Sequence, residues 1–155
     1  MSEQDAPPSP VRDAAAVNRV ARVVDIANVE LVGSHYERED DGFETLELPN
    51  VEPVIRVGLE WEVEHPRLIV IPTFATDFEE EPQPYSIVAR FRLTYLVDDD
   101  APPDQADVEQ FAHWNAIFNA WPYWREFVSS TINRGQLPRF VVPVMRAPLS
   151  VPPDQ

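Results

Sequence analysis

The sequence predicts an α+β fold in which a four-stranded antiparallel sheet is followed by two helices that pack on it. Two of the strands are indicated by apolar residues that alternate with other residues at period two, in segments 57–64 and 85–97. The helical spacing of apolar residues is confined to segment 104–135, after all of the predicted strands. A chain of 155 residues suffices for one domain that buries roughly 70% of its unfolded surface.

The first strand and the segment after it are predicted from composition. Residues 17–32 are dense in Val, Ile, Leu and Ala, which favours a long strand, and Gly33 is expected to end it. Residues 34–53 mix acids with aromatic and leucine side chains and are too long for a tight hairpin. They are expected to form a crossover loop.

The other three strands follow in order. In the second, Leu59, Trp61 and Val63 alternate with glutamates, so that one face is apolar and the other acidic. Pro66 begins a turn into a third strand over 68–74, and a polar segment leads into a fourth over 85–97.

The two helices are predicted from charge, spacing and proline. Asp104 and the acids after it suit a helix N-terminus, and the first helix is expected to run to about Asn119. Trp121-Pro122 is expected to interrupt it, because Pro122 suits the first position of a second helix. Gly135 is expected to close that helix.

The remaining residues are assigned to tails. Residues 1–13 are expected to form a flexible acidic, Pro-rich tail, 14–146 the folded domain, and 147–155 a second Pro-rich tail. The first residues lack the apolar region of a signal peptide, and no apolar run approaches the ~20 residues that a membrane span needs. These features predict a cytoplasmic protein without a membrane partner.

Charge and composition limit the partners. The net charge is -15, and all 12 basic residues are Arg, which makes nucleic acid an unfavourable partner. A negative field of this size speeds encounters with cationic surfaces, such as unfolded chains rich in Lys and Arg. The absence of Cys excludes disulfides and thiolate metal sites, and suits a reducing compartment.

Catalytic and metal-binding patterns are weak. His35, His65 and His113 show no ligand spacing, and the acidic runs 79–81 and 98–100 are typical of solvated loops. The four glycines do not form a phosphate-binding loop. The sequence therefore predicts a protein that is not an enzyme and that carries no metal or cofactor.

The second predicted helix has an unusually wide apolar arc, about half of its circumference at 100° per residue. Either the first helix covers the part that the sheet leaves exposed, or a partner subunit or a client segment does. The residues of the arc are Tyr123, Trp124, Phe127, Val128, Thr131 and Ile132.

The same region resembles the signature of the SecB chaperone family. Residues 121–127 read Trp-Pro-Tyr-Trp-Arg-Glu-Phe and are followed by Arg134-Gly135, Leu137-Pro138 and Pro143-Val144. The family pattern is an aromatic or aliphatic residue, Pro-Tyr, a variable residue, Arg-Glu, a helix, Arg-Gly, an apolar residue and Pro, then Pro-Val. Weaker similarity covers the start, where Arg22, Asp25-Ile26 and Glu30 resemble the first strand of the family.

The resemblance implies an ATP-independent holdase that assembles as a dimer of dimers and holds unfolded polypeptides in hydrophobic grooves, ready for translocation or folding. The residues expected to line the groove are Tyr36, Phe43, Trp61, Trp121 and Trp124. For Tyr36, Phe43, Trp121 and Trp124 taken singly, a core position is the more usual role of an aromatic side chain. The residues expected at the oligomer interface are Tyr123, Phe127, Val128, Thr131 and Ile132. The positions that match the family's acidic contact with the translocase motor ATPase are Asp25 and Glu30.

Two departures from export members bear on the client. The chain ends soon after Pro143-Val144, without the C-terminal helix that covers the groove, and Arg90 and Arg92 stand where export members tend to carry an acid. Both are similar to SecB-like chaperones that protect an antitoxin in toxin–antitoxin systems, so general export and a dedicated antitoxin client both remain open. A third hypothesis is an acidic decoy that occupies one folded basic protein.

Overall fold

A computed structural model describes residues 11–38, 52–79, 83–98, 100, 102–137 and 139–145. The elements in chain order are helix α1 (Ala14–Ala21), strands β1 (Val24–Arg38), β2 (Val54–Glu64), β3 (Arg67–Asp77) and β4 (Tyr85–Val97), helix α2 (Gln105–Phe111), a π-helical turn (Ala112–Ala116) and helix α3 (Ile117–Gly135).

The strands form one antiparallel sheet in the order β1-β4-β3-β2, so β1 and β2 are its two edges. The predicted bounds of β4 are confirmed, and β2 and β3 extend beyond the predicted segments by a few residues. Every second residue of β4 from Tyr85 to Val97 is buried on the face that carries the helices. The predicted α+β fold with its four-stranded antiparallel sheet is therefore confirmed.

The beginning of the predicted first strand is wrong, because residues 14–21 form α1. Asp13 caps this helix: its carboxylate accepts hydrogen bonds from the backbone N–H groups of Ala15 and Ala16 at 3.0 and 3.1 Å. Val17 and Val20 are buried at helical spacing. The cap and this spacing outweigh the strand preference of the β-branched residues.

The predicted end of β1 is also wrong. Gly33 lies inside the strand, which continues to Arg38, and a register shift falls between Leu31 and Gly33. A bulge at this point allows the strand to continue after the glycine. Residues 34–38 therefore belong to β1 rather than to the predicted crossover loop, while Phe43 and the rest of 39–51 lie outside the described residues.

The expected interruption at Trp121-Pro122 does not occur, because Pro122 lies inside α3. A proline in a helix interior costs about 3 kcal/mol through the lost hydrogen bond and a steric clash. Trp121 and Trp124 pack against Phe74 of β3, with ring centroids 5.7 and 5.5 Å away, and this packing holds the helix together. The helix ends at Gly135, as predicted.

The core lies between the sheet and the α2–α3 segment. Phe74 is central to it, with Trp124 stacked on its ring and Phe91 in edge contact. The short helix α1 packs on α2, where the Arg19 guanidinium binds the Asp107 carboxylate at 2.7 and 2.8 Å. One face of the sheet is thus covered by helices, and the opposite, outer face carries none of the described elements.

Candidate polypeptide-binding surfaces

Apolar side chains remain exposed along β1 on the side of the sheet that faces the helices. Ile26, Leu31 and Tyr36 are 50%, 48% and 40% exposed, although they lie opposite the buried β4 residues Tyr95, Phe91 and Ile87. Residues opposite each other in an antiparallel pair share one face of the sheet. The helices therefore leave the β1 edge of this face uncovered.

Helix α3 contributes the other wall of this surface. Tyr123 is 47% exposed, and its ring centroid lies 6.3 Å from that of Phe91, the residue opposite Leu31. Phe127, one turn further along α3, is half-buried. We call the surface formed by Ile26, Leu31, Tyr36 and Tyr123 the β1–α3 surface.

Polar contacts fix the two ends of the β1–α3 surface. At one end, the side chain of Asn119 donates a hydrogen bond of 2.9 Å to the Tyr95 hydroxyl, and burial raises the pKa of that hydroxyl to about 12, so it stays neutral. At the other end, Arg38 donates to the Gly135 carbonyl at 3.3 Å. A Cβ atom at Gly135 would approach the Tyr36 hydroxyl to 2.6 Å, so the Tyr36 side chain would have to shift if any other residue stood there.

The predicted interface residues divide into two groups. Tyr123 is exposed and Phe127 and Thr131 are half-buried, so all three are accessible to a partner. Val128 and Ile132 were predicted at the interface, but they are 1% and 4% exposed and lie in the subunit's own core. At 100° per residue, Val128 and Ile132 lie on the same side of the arc, which faces the core. Tyr123 and Phe127 lie on the other side, which stays accessible.

The predicted groove residues do not come together. Tyr36 lies at the β1 edge and Trp61 at the β2 edge, with two strands between them. Trp124 is fully buried and Trp121 is 8% exposed, so both are core residues rather than the walls of an open groove. Phe43 lies outside the described residues.

Trp61 borders an open cleft between the end of β2 and the chain that enters α2. The Trp61 side chain lies on the helix-facing side of the sheet, because it is opposite the buried Val70. We call this feature the Trp61 cleft; the residues that line it are Trp61, Glu62, Val63, His65, Pro102, Pro103 and Gln105.

The predicted motor-contact residues lie on the outer face of the sheet. Asp25 and Glu30 are exposed and lie opposite Leu96 and Arg92. Glu30 forms an ion pair with Arg92 at 3.2 Å, and Arg90 likewise pairs with Glu60 at 2.6 Å. Arg90 and Arg92 therefore neutralise acidic groups of this face.

Two contacts were missed in the sequence because each joins distant segments. The Gln110 side chain donates to the Val11 carbonyl and accepts from the Asp13 N–H, at 3.0 and 2.9 Å, which ties the start of the described chain to α2. The indole N–H of Trp121 donates to the Pro143 carbonyl at 2.7 Å. Neither acceptor carbonyl has a signal in the sequence.

Among the described residues, no three His, Cys, Asp or Glu side chains come together as a metal site would require. In the same part of the chain, no helix has the length and apolar character of a membrane span.

No protein-family model matches the chain, and no curated protein does. Among solved structures, the chain is similar to the SecB-like chaperone Rv1957 of Mycobacterium tuberculosis in complex with a ChAD peptide from the HigA1 antitoxin, with a TM-score of 0.67 and 14% identity over 86% of this chain and 100% of that one. A protein of unknown function from Streptococcus agalactiae has a TM-score of 0.40 and 12% identity over 77% of this chain and 96% of that one. The first of these likenesses shows that the chain has a SecB-like fold.

Proposed function

We propose that the chain is an ATP-independent chaperone that binds unfolded segments of other proteins and assembles with copies of itself. The observation that carries the proposal is the SecB-like fold together with large apolar side chains left exposed on the helix-bearing side of the sheet. Hydrophobic contact depends on apolar area rather than on sequence, which suits a protein with varied clients.

We assign the β1–α3 surface to a second copy of the chain. It contains an edge strand, and two edge strands related by a twofold axis can pair in antiparallel fashion. In such a contact each subunit would bring Leu31 and Tyr123 to its partner. Each exposed apolar side chain of the surface would therefore be buried in both subunits. Further pairing of dimers into a tetramer, which the resemblance to SecB chaperones implies, belongs to the same proposal.

We assign the Trp61 cleft to unfolded clients. It lies at the opposite edge of the sheet from β1, so self-association leaves it open. Its Trp and Pro side chains offer apolar surface, and Glu62 adds a negative charge at the rim. Apolar segments flanked by Lys or Arg are the clients that this combination favours.

The antitoxin-dedicated role is the second candidate. It is favoured by the SecB-like neighbour, whose structure contains an antitoxin peptide. The pairing of Glu30 with Arg92 also favours it over export, because it reduces the free negative charge that would contact a translocase motor at the Asp25–Glu30 region.

The test compares binding of a permanently unfolded, fluorescently labelled polypeptide with binding of its folded form. A chaperone binds the unfolded form at micromolar affinity or better and ignores the folded form, whereas an acidic decoy binds one folded basic protein in a salt-sensitive manner.

Trp61→Ala should weaken binding of the unfolded form about tenfold or more, since a buried Trp contributes more than 1.4 kcal/mol. Val54→Ala is the matched control, because Val54 is 61% exposed on the same strand but on the outer face. Equal binding by both variants would contradict the assignment of the cleft.

A further inference from the structure

Residues 139–145, the C-terminal segment, return along α3 after the helix ends. Val142 is 3% exposed, and Phe140 and Met145 pack partly against the core. By contrast, Val141 and Val144 remain 77% and 65% exposed. The segment thus buries only part of its apolar surface.

Two side chains of α3 hold this segment through its backbone. The Trp121 indole N–H donates to the Pro143 carbonyl at 2.7 Å, and Arg125 Nε donates to the Val142 carbonyl at 3.0 Å. Among the described residues, no backbone hydrogen bond joins the segment to a strand or helix. Every peptide has such carbonyl groups, so the two donors recognise a backbone rather than a particular sequence.

The donors lie on the opposite flank of α3 from the β1–α3 surface. At about 100° per residue, Tyr123 and Phe127 lie about 100° and 60° to one side of the buried Trp124, and Trp121 and Arg125 lie about 60° and 100° to the other. One helix therefore presents two separate flanks. A second copy on the first flank would leave the second one accessible.

The donor Trp121 is packed in the core, and the segment that it binds is a plain apolar stretch of chain. Trp121 is fixed by edge contact with Phe74, at 5.7 Å and an interplanar angle of 77°. The occupant is an apolar, extended stretch of chain, Phe-Val-Val-Pro-Val-Met, which is the kind of segment that an unfolded protein offers. A preformed donor pair costs little entropy when one such segment replaces another.

We propose that this flank of α3 is a second peptide-binding site, which the chain's own C-terminal segment occupies and which extended apolar segments of clients take by displacing it. The inference rests on the proposed function, since it requires that unfolded clients are bound. The apparent association constant for a client then equals the intrinsic constant multiplied by the fraction of chains in which the site is free.

The experiment weakens the occupant without altering the donors. Val142→Ala removes two buried methyl groups from the segment and should raise the affinity for an unfolded client roughly tenfold, because the site is free more often. Val144→Ala is the matched control, since Val144 is largely exposed, and should leave the affinity unchanged. Circular dichroism of both variants confirms that the fold is retained.

A second readout follows the segment itself. The chain has no Cys, so Val141→Cys gives a single site for an environment-sensitive fluorophore on the segment. Adding the unfolded client should change the fluorescence, and adding a free peptide of residues 139–145 to the Val142→Ala chain should compete with the client. Client binding that neither moves the fluorophore nor responds to Val142→Ala would overturn the site and leave the chaperone function standing. Failure of every chain to bind unfolded clients would overturn both.

Discussion

Replacement of Leu31 by Ala tests whether the β1–α3 surface joins two copies of the chain. Leu31 is 48% exposed in the subunit, and full burial of a leucine side chain contributes about 1.5–3 kcal/mol, so about 1 kcal/mol remains to be gained at an interface. A twofold contact contains the residue twice. The dimer should therefore weaken by about 2 kcal/mol, or roughly 30-fold in its dissociation constant.

The assay is sedimentation equilibrium over a dilution series. Leu96→Ala is the control, because Leu96 is 46% exposed on β4 but faces the outer side of the sheet. The dimer of this variant should have the same dissociation constant as the wild-type dimer. Tyr123→Ala should weaken the dimer as Leu31→Ala does. An unchanged dissociation constant for Leu31→Ala, or an equal loss for Leu96→Ala, would refute the assignment of this surface.

Three further predictions concern the subunit. Trp124→Ala should lower the free energy of unfolding by about 3–5 kcal/mol, measured by urea titration, because Trp124 is fully buried against Phe74; a loss under 1 kcal/mol would place it outside the core. The Arg19 guanidinium holds the pKa of the Asp107 carboxyl below its ordinary value, so the contribution of the pair is complete above about pH 4 and is lost as pH falls below it; Asp107→Asn should remove that acid dependence of the melting temperature, and an unchanged dependence would contradict the linkage. Arg92→Ala should change the free energy of unfolding by at most about 1 kcal/mol in a urea titration, because its pair with Glu30 is exposed, and a larger loss would show that the outer face contributes more than its ion pairs suggest.

The bounds of β4 could be predicted because the strand alternates on both faces from Tyr85 to Val97 and is flanked by polar segments. The same reasoning failed at residues 14–21, where alanine and valine fit either a helix or a strand. There the Asp13 cap and packing on α2 make the segment helical. The packing is a tertiary contact, which local sequence patterns do not show. The continuity of the helix through Pro122 was missed for a related reason, since packing of the neighbouring tryptophans outweighs the local cost of proline.

The candidate surfaces could be predicted only in part. The wide apolar arc of α3 left open whether the first helix or a partner covers it, and in the structure Tyr123 remains exposed. The spacing could not show which part of the arc faces the sheet, because the angle at which the helix meets the sheet is not encoded in spacing. The contact of Trp121 with a backbone carbonyl leaves no trace in the sequence at all, since every residue has a carbonyl.

The central claim is that the chain holds unfolded polypeptides without nucleotide. The most direct measurement is light scattering of a chemically denatured test protein diluted into buffer with a stoichiometric amount of the purified chain and no ATP. The account predicts that aggregation is suppressed, and that Trp61→Ala reduces the suppression while Val54→Ala does not. Aggregation at the uninhibited rate across several test proteins would contradict a general chaperone, and would leave the dedicated antitoxin client or the acidic decoy.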